Sequence, residues 1–193
     1  MINIKEILRY LGYGNNEPDE RVMALIIECI EEVEAVAEPK CIRRRFDLSI
    51  TEDNIISFEG MSVQSRALAK NLENCKEAYF MAGTLGVGVD RLLAKNLKLN
   101  MTKAAVIQAT AAAAIEDYCD MWQQEIREAV AKEGLKVKPR FSPGYGDLKL
   151  ELQPVLLSFV DAGKKVGITL SEGGVMIPEK SVTAFIGLYK ETE

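Results

Sequence analysis

Histidine is absent from all 193 residues of the sequence. Its absence excludes Ser-His-Asp nucleophilic triads, histidine metal sites and imidazole acid–base chemistry. Any catalysis would fall to carboxylates, Lys, Tyr or Cys, or to a bound cofactor. No apolar run approaches the roughly 20 residues of a membrane-spanning helix, and the opening MINIKEILRY has no signal-peptide pattern. A cytoplasmic location is therefore the expectation. Cysteine is sparse and dispersed: Cys29, Cys41, Cys75 and Cys119 form no CxxC pair, which predicts small buried apolar residues rather than a zinc site. A basic surplus is missing too. The formal net charge is −5, without the clustered cationic surface of nucleic-acid binders.

What remains is the material of a soluble globular domain. Hydrophobic residues make up 48% and charged residues 27% of a chain long enough to bury a sizeable core. We read residues 1–193 as a single α+β domain, with an N-terminal helical part over 1–39 and a sheet with helices over 40–193 that carries the ligand site.

Residues 3–11 (NIKEILRYL) predict a short helix ended by the Gly-rich GYGNN. Glu17-Pro18-Asp19-Glu20 opens a long helix, with apolar residues from Val22 to Val36 recurring at three and four, and Pro39 stops it. Its acids Glu28, Glu31, Glu32 and Glu34 fall on the wet side. CIRRRFDLSI alternates as a strand should, splitting Arg43, Arg44 and Arg45 between two faces as solvated edge charge rather than an anion site. NIISFEG predicts a second strand, SVQSRALAKNLENC a helix and KEAYFMAGTLG a buried strand. GTLGVGVD has neither GK[ST] nor GxGxxG spacing, so it reads as a strand-to-helix turn. Residues 102–132 predict a helix with Ile115, Cys119, Trp122, Ile126 and Val130 as its apolar stripe. LKLELQPVLLSFVDAG predicts another, faced by Leu152, Val155, Leu156, Phe159 and Val160 and closed by Gly163. The remainder supplies strands around a Gly-Gly turn and a Pro break. The alternation is too irregular for a βαβ series, which points to α+β.

Two features bear on chemistry. Glu116 stands one step off the apolar stripe beside Ala112 and Ala113, either a solvated helix acid or a carboxylate over an alanine floor open to a ligand. The second is RFSPGYGD, residues 140–147. Pro143-Gly144 suits the centre of a type II turn, and such a turn aims backbone N–H and C=O groups where no Cβ blocks the approach. Arg140 offers a forked donor for a carboxylate or phosphate, and Tyr145 a ring face and a hydroxyl. If Glu116 faces this turn, the site carries both signs and suits an amino-acid-like ligand better than a phosphorylated one. The same residues also fit a structural turn with Asp147 capping the next helix.

At these motifs the sequence resembles the activation (reactivation) domain of vitamin B12-dependent methionine synthase, in its stand-alone form. The RxxPGY pattern is matched by Arg140, Pro143, Gly144 and Tyr145, the alanine-rich helix with its Glu by AAAAIEDYCD, and the later segment by LSEGGVMIPEKSVTAFIG. The resemblance covers roughly residues 76–188. It implies an α+β fold with a twisted, mainly antiparallel sheet and flanking helices. It implies S-adenosylmethionine binding, with Arg140 on the ligand's carboxylate, Glu116 on its amino group, and Ser142, Pro143, Gly144 and Tyr145 along its adenosine. If the two charged residues hold opposite ends of one ligand without touching each other, the effects of substituting both are expected to be roughly additive. The implied role is reductive remethylation of cob(II)alamin on a partner, either a methionine synthase or another corrinoid protein, with a flavodoxin-like electron donor. Cobalamin is supplied by that partner, because a histidine-free chain lacks the DxHxxG cobalamin motif. A non-catalytic accessory or sensor subunit that keeps the fold is the other reading.

Overall fold

Two long strands, β5 (Cys75–Thr84) and β9 (Ser181–Tyr189), pair antiparallel at the centre of a four-stranded sheet. In this computed structural model, which describes residues 2–14 and 16–190, β1 (Lys40–Asp47) lies outside β5 and β6 (Lys136–Val137) outside β9, all antiparallel. Asn15, in the Gly-rich stretch expected after the first helix, lies outside the described residues. From Phe80 to Thr84 and from Thr183 to Leu188 every residue is buried, so both faces of the central pair are covered. That is why these strands read as continuous apolar runs rather than as alternation.

One face packs Met81, Ala184 and Ile186 against Ile26 and Val33 of α2 (Glu20–Val36) and against Ile115, Cys119 and Ile126 of α5 (Met101–Ala131). The other packs Phe80, Ala82 and Phe185 against Phe46, Phe58, Leu68 and Leu156. Phe80 and Phe185 meet edge-on with centroids 4.9 Å apart, and Phe46 lies 4.7 Å from Phe58.

The helices begin where their caps sit. Asn3 caps α1 (Ile4–Tyr10), and Asp19 caps α2 by accepting from the Val22 N–H at 2.8 Å. The acids of α2 are not all solvated. Glu28 and Glu32 hold Lys103 Nζ at 2.6 and 2.8 Å, tying α2 to α5 through a lysine whose side chain is 15% exposed. Arg43, Arg44 and Arg45 do divide between the two faces of an edge strand, each in an ion pair: with Glu125, with Glu59, and with Glu77 and Glu133. Gly86, with φ of 83°, turns β5 into α4 (Val87–Leu99).

Two expectations are corrected. The predicted helix from residue 62 starts as a strand: β4 (Met61–Gln64) forms a hairpin with β3 (Ile55–Phe58), and β3 also pairs β2 (Ser49–Ile50). The hairpin turn is Glu59-Gly60, both at positive φ (48° and 77°), a left-handed pair more familiar as Asn-Gly or Asp-Gly. The helix α3 (Arg66–Asn71) begins only after Ser65. Likewise Gly163 closes nothing. A 3-10 turn (Leu150–Leu152) leads into α6 (Gln153–Phe159), and Asp161 at φ 56° separates it from α7 (Ala162–Val166), which Gly167 ends. The buried face of α6 is Gln153, Leu156 and Leu157, while Val155 is exposed. The small pair β7 (Thr169–Leu170) and β8 (Met176–Ile177) flanks the Gly-Gly turn before β9.

The sole tryptophan explains why one central strand carries a glycine. A Cβ on Gly83 would lie 2.3 Å from the Trp122 ring. Gly83→Ala therefore forces the ring, and α5 with it, off the sheet. A loss of about 1–3 kcal/mol is expected, read as a lower urea midpoint at unchanged slope, together with altered tryptophan fluorescence.

Candidate functional site

Beyond β6 the chain keeps to the free edge of β9. The Lys138 N–H donates to the Gly187 carbonyl at 2.8 Å, and Phe141 and Phe185 exchange backbone hydrogen bonds at 2.9 and 2.8 Å. Between those contacts Pro139 and Arg140 bow toward α5. A cavity of about 570 Å³ opens there, bordered by the 139–145 segment, Val182 of β9 and the middle of α5. The helix presents Glu116, Asp120, Gln123 and Arg127 to it, a series at i, i+4, i+7 and i+11 that shares one face.

Arg140 is the centre of the charge arrangement. Its side chain is 18% exposed, and Nη1 donates to Gln123 Oε1 at 2.8 Å and forms an ion pair with Asp120 Oδ1 at 2.8 Å. Nη2 donates to Glu116 Oε2 at 3.2 Å. Gln123, buried, fixes its own amide by donating to the Lys138 carbonyl at 3.1 Å. The condition for additivity, that Arg140 and Glu116 do not touch, is not met in the free chain, where they are in contact. A cation between two carboxylates and an amide oxygen is held in one orientation, because a guanidinium is planar and its donors are fixed.

The turn takes its expected form. Tyr145 N–H donates to the Ser142 carbonyl at 3.2 Å, and Gly144 sits at φ 91°, as position three of a type II turn requires. Its N–H groups are not aimed at the cavity, however. Tyr145 N–H closes the turn itself, and Gly144 N–H donates to the Leu148 carbonyl at 2.8 Å. Ser142 and Tyr145 border the cavity; Pro143, which is buried, and Gly144 shape the turn behind it. Tyr145 is 67% exposed, so its ring is available to a ligand.

Asp147 caps a helix, but not the one that follows it. Its carboxylate accepts from Ser65 Oγ at 2.6 Å and from the backbone N–H groups of Arg66 and Ala67 at 2.8 and 3.0 Å, at the start of α3. The hydrogen bond from Ser65, then those from Ala67 and Arg66, lower its pKa to about 2. Gly146 lets the loop come that close, since a Cβ there would lie 2.7 Å from Ala67 Cβ. The loop is thereby fastened to the second core.

The cysteines carry no reactive thiolate. Burial pushes the Cys41 and Cys119 thiols up to about 12 and those of Cys29 and Cys75 to about 11. Among the described residues no helix is long and apolar enough to cross a membrane, and no three His, Cys, Asp or Glu side chains gather to hold a metal ion.

Sequence reasoning missed Asp120, Gln123 and Arg127. The signal was the helical spacing from Glu116, but only the packing shows that this flank of α5 borders a cavity.

No family model matches the sequence, and no curated protein does. In class, the chain is an α+β domain with the fold of the methionine synthase reactivation domain. The particular likeness is to a crystal structure of the MetH reactivation domain bound to AdoHcy, with a TM-score of 0.67 over 90% of this chain and 67% of that one, at 14% sequence identity. At that identity the likeness is one of fold.

Asp147 gives the site a pH dependence. Its folded pKa is depressed from 3.8 to about 2, so its stabilisation is complete above the unfolded value and disappears as pH falls through the folded one. Asp147→Asn keeps the shape and removes the charge. The wild type should exceed the variant in urea midpoint at neutral pH, with the gap closing between roughly pH 5 and pH 2.

Proposed function

We propose that the chain is an S-adenosylmethionine-binding reactivation module. It supports reductive remethylation of cob(II)alamin on a partner, a cobalamin-dependent methionine synthase or another corrinoid protein, with a flavodoxin-like donor supplying the electron. The observation that carries this reading is the two-signed cluster, Arg140 between Glu116 and Asp120, in a cavity bordered by an exposed Tyr145. S-adenosylmethionine has one anionic carboxylate, an ammonium, a sulfonium and a flat base. Arg140 suits the first and the carboxylates suit the cations. The tyrosine ring suits the adenine, because an aromatic face takes a flat ring in offset stacking.

The fold likeness supports the same ligand class, since the solved neighbour holds AdoHcy. A corrinoid on the partner would supply the nucleophile for the methyl group. No nucleophile is then required of this chain, whose residues bind the methyl donor and orient it. A chain without histidine is adequate for that work.

One observation favours the accessory reading. Arg140 is already engaged by two carboxylates and an amide in the free chain, and the N–H groups of Gly144 and Tyr145 are used internally. Such a cluster also serves as a structural tie.

Titration calorimetry separates the two. Wild type is expected to bind S-adenosylmethionine, and Arg140→Ala to weaken it by roughly ten- to hundredfold, or about 1.5–3 kcal/mol. Because Arg140 and Glu116 touch, the Arg140→Ala/Glu116→Gln double variant should lose less than the sum of the single losses. No binding by the wild type at millimolar ligand would leave the accessory subunit standing instead.

A further inference from the structure

The cavity holds two carboxylates at its charged end. We propose that Asp120 acts with Glu116 as a second ligand-contacting carboxylate, and that the pair makes the site prefer a sulfonium ligand over the neutral thioether left after methyl transfer. This rests on the ligand class proposed above and adds the residue that discriminates within it.

Glu116 and Asp120 are four residues apart on α5, so their side chains emerge one turn apart on one face. Each faces Arg140, Glu116 Oε2 at 3.2 Å and Asp120 Oδ1 at 2.8 Å. Both border the cavity, and their side chains are 46% and 74% exposed. One guanidinium between two carboxylates leaves a local charge of −1 by simple count. An α-amino-acid group adds one ammonium and one carboxylate, so it leaves that excess in place. The excess favours a ligand with one further positive charge. The sulfonium carries it and the thioether does not.

The other cation bordering the cavity, Arg127, does not cancel this locally. It stands seven residues beyond Asp120, roughly 10 Å along the helix axis, exposed and hydrogen-bonded to Gln124. At physiological ionic strength, where the Debye length is about 8 Å, that separation weakens its effect on the carboxylate pair. For partly exposed charges a few ångströms apart, the preference should be about threefold to tenfold.

The test titrates the full chain with S-adenosylmethionine and with S-adenosylhomocysteine, at low and at physiological salt. Wild type is expected to favour the sulfonium, less so at the higher salt. Asp120→Asn should reduce the preference to about twofold or less, and Asp120→Ser repeats the measurement should the asparagine variant fail to fold. Glu125→Gln removes the same charge from α5 at an acid that pairs with Arg43 and does not border the cavity, so it should leave the preference unchanged. Equal affinity for both ligands in the wild type, or an unaltered preference in the folded Asp120 variants, overturns the assignment and leaves the ligand class intact. An equal fall with Glu125→Gln also overturns it, by showing a net-charge effect. Failure of the wild type to bind either ligand overturns the ligand class, and this inference with it.

Discussion

The central constraint on this molecule is that β5 and β9 are buried on both faces. A strand pair with no wet side needs apolar cover above and below, and the chain supplies it as two separate cores. The helical cover depends on α5 lying close enough for the Trp122 ring to rest on the backbone of Gly83, where any side chain would intervene. Gly88 makes a second such concession, because a Cβ there would lie 2.2 Å from the Val36 carbonyl. Close packing of this kind fixes the height and direction of α5. Everything at the cavity follows from where that helix runs.

With α5 so placed, the chain leaves its C-terminal end and returns along the outer edge of β9, bringing residues 138–145 back beside the helix's middle. The edge contacts at Lys138 and Phe141 hold the segment's two ends, and Arg140 between them bridges to α5. Beyond the turn, Asp147 and Gly146 fasten the loop to α3 on the opposite core. The candidate site is therefore suspended between both cores, with its charged end on a helix and its aromatic end on an anchored loop. Rigid support on both sides is what a binding site needs to hold its geometry before a ligand arrives.

The electrostatics are equally economical. Most ion pairs among the described residues are partly exposed, and such pairs contribute little to stability. Arg140 and Lys103 are different, each mostly covered while its carboxylate partners are more exposed, and of the two Arg140 is the one that borders the cavity. A covered cation with open carboxylates is poised to exchange one set of partners for another.

Much of this was legible in the residues. The long helices announced themselves by spacing and caps, the central strands by unbroken apolar runs, and the Pro-Gly turn by residue types with only one comfortable geometry. Helical period, proline and glycine act locally, so a linear sequence displays them. The hairpin at Glu59-Gly60 did not show, because its left-handed turn used a glutamate where asparagine or aspartate is usual. Nor did the true partner of Asp147, a helix start 80 or so positions earlier in the chain. The same holds for Asp120 and Arg127, ordinary surface residues until the returning segment makes a cavity beside them. The contact of Glu116 with Arg140 spans 24 residues and two different elements. Which local features exist was a matter of sequence; which of them meet was decided by packing, since burial of the two strands sets where every distant group must lie.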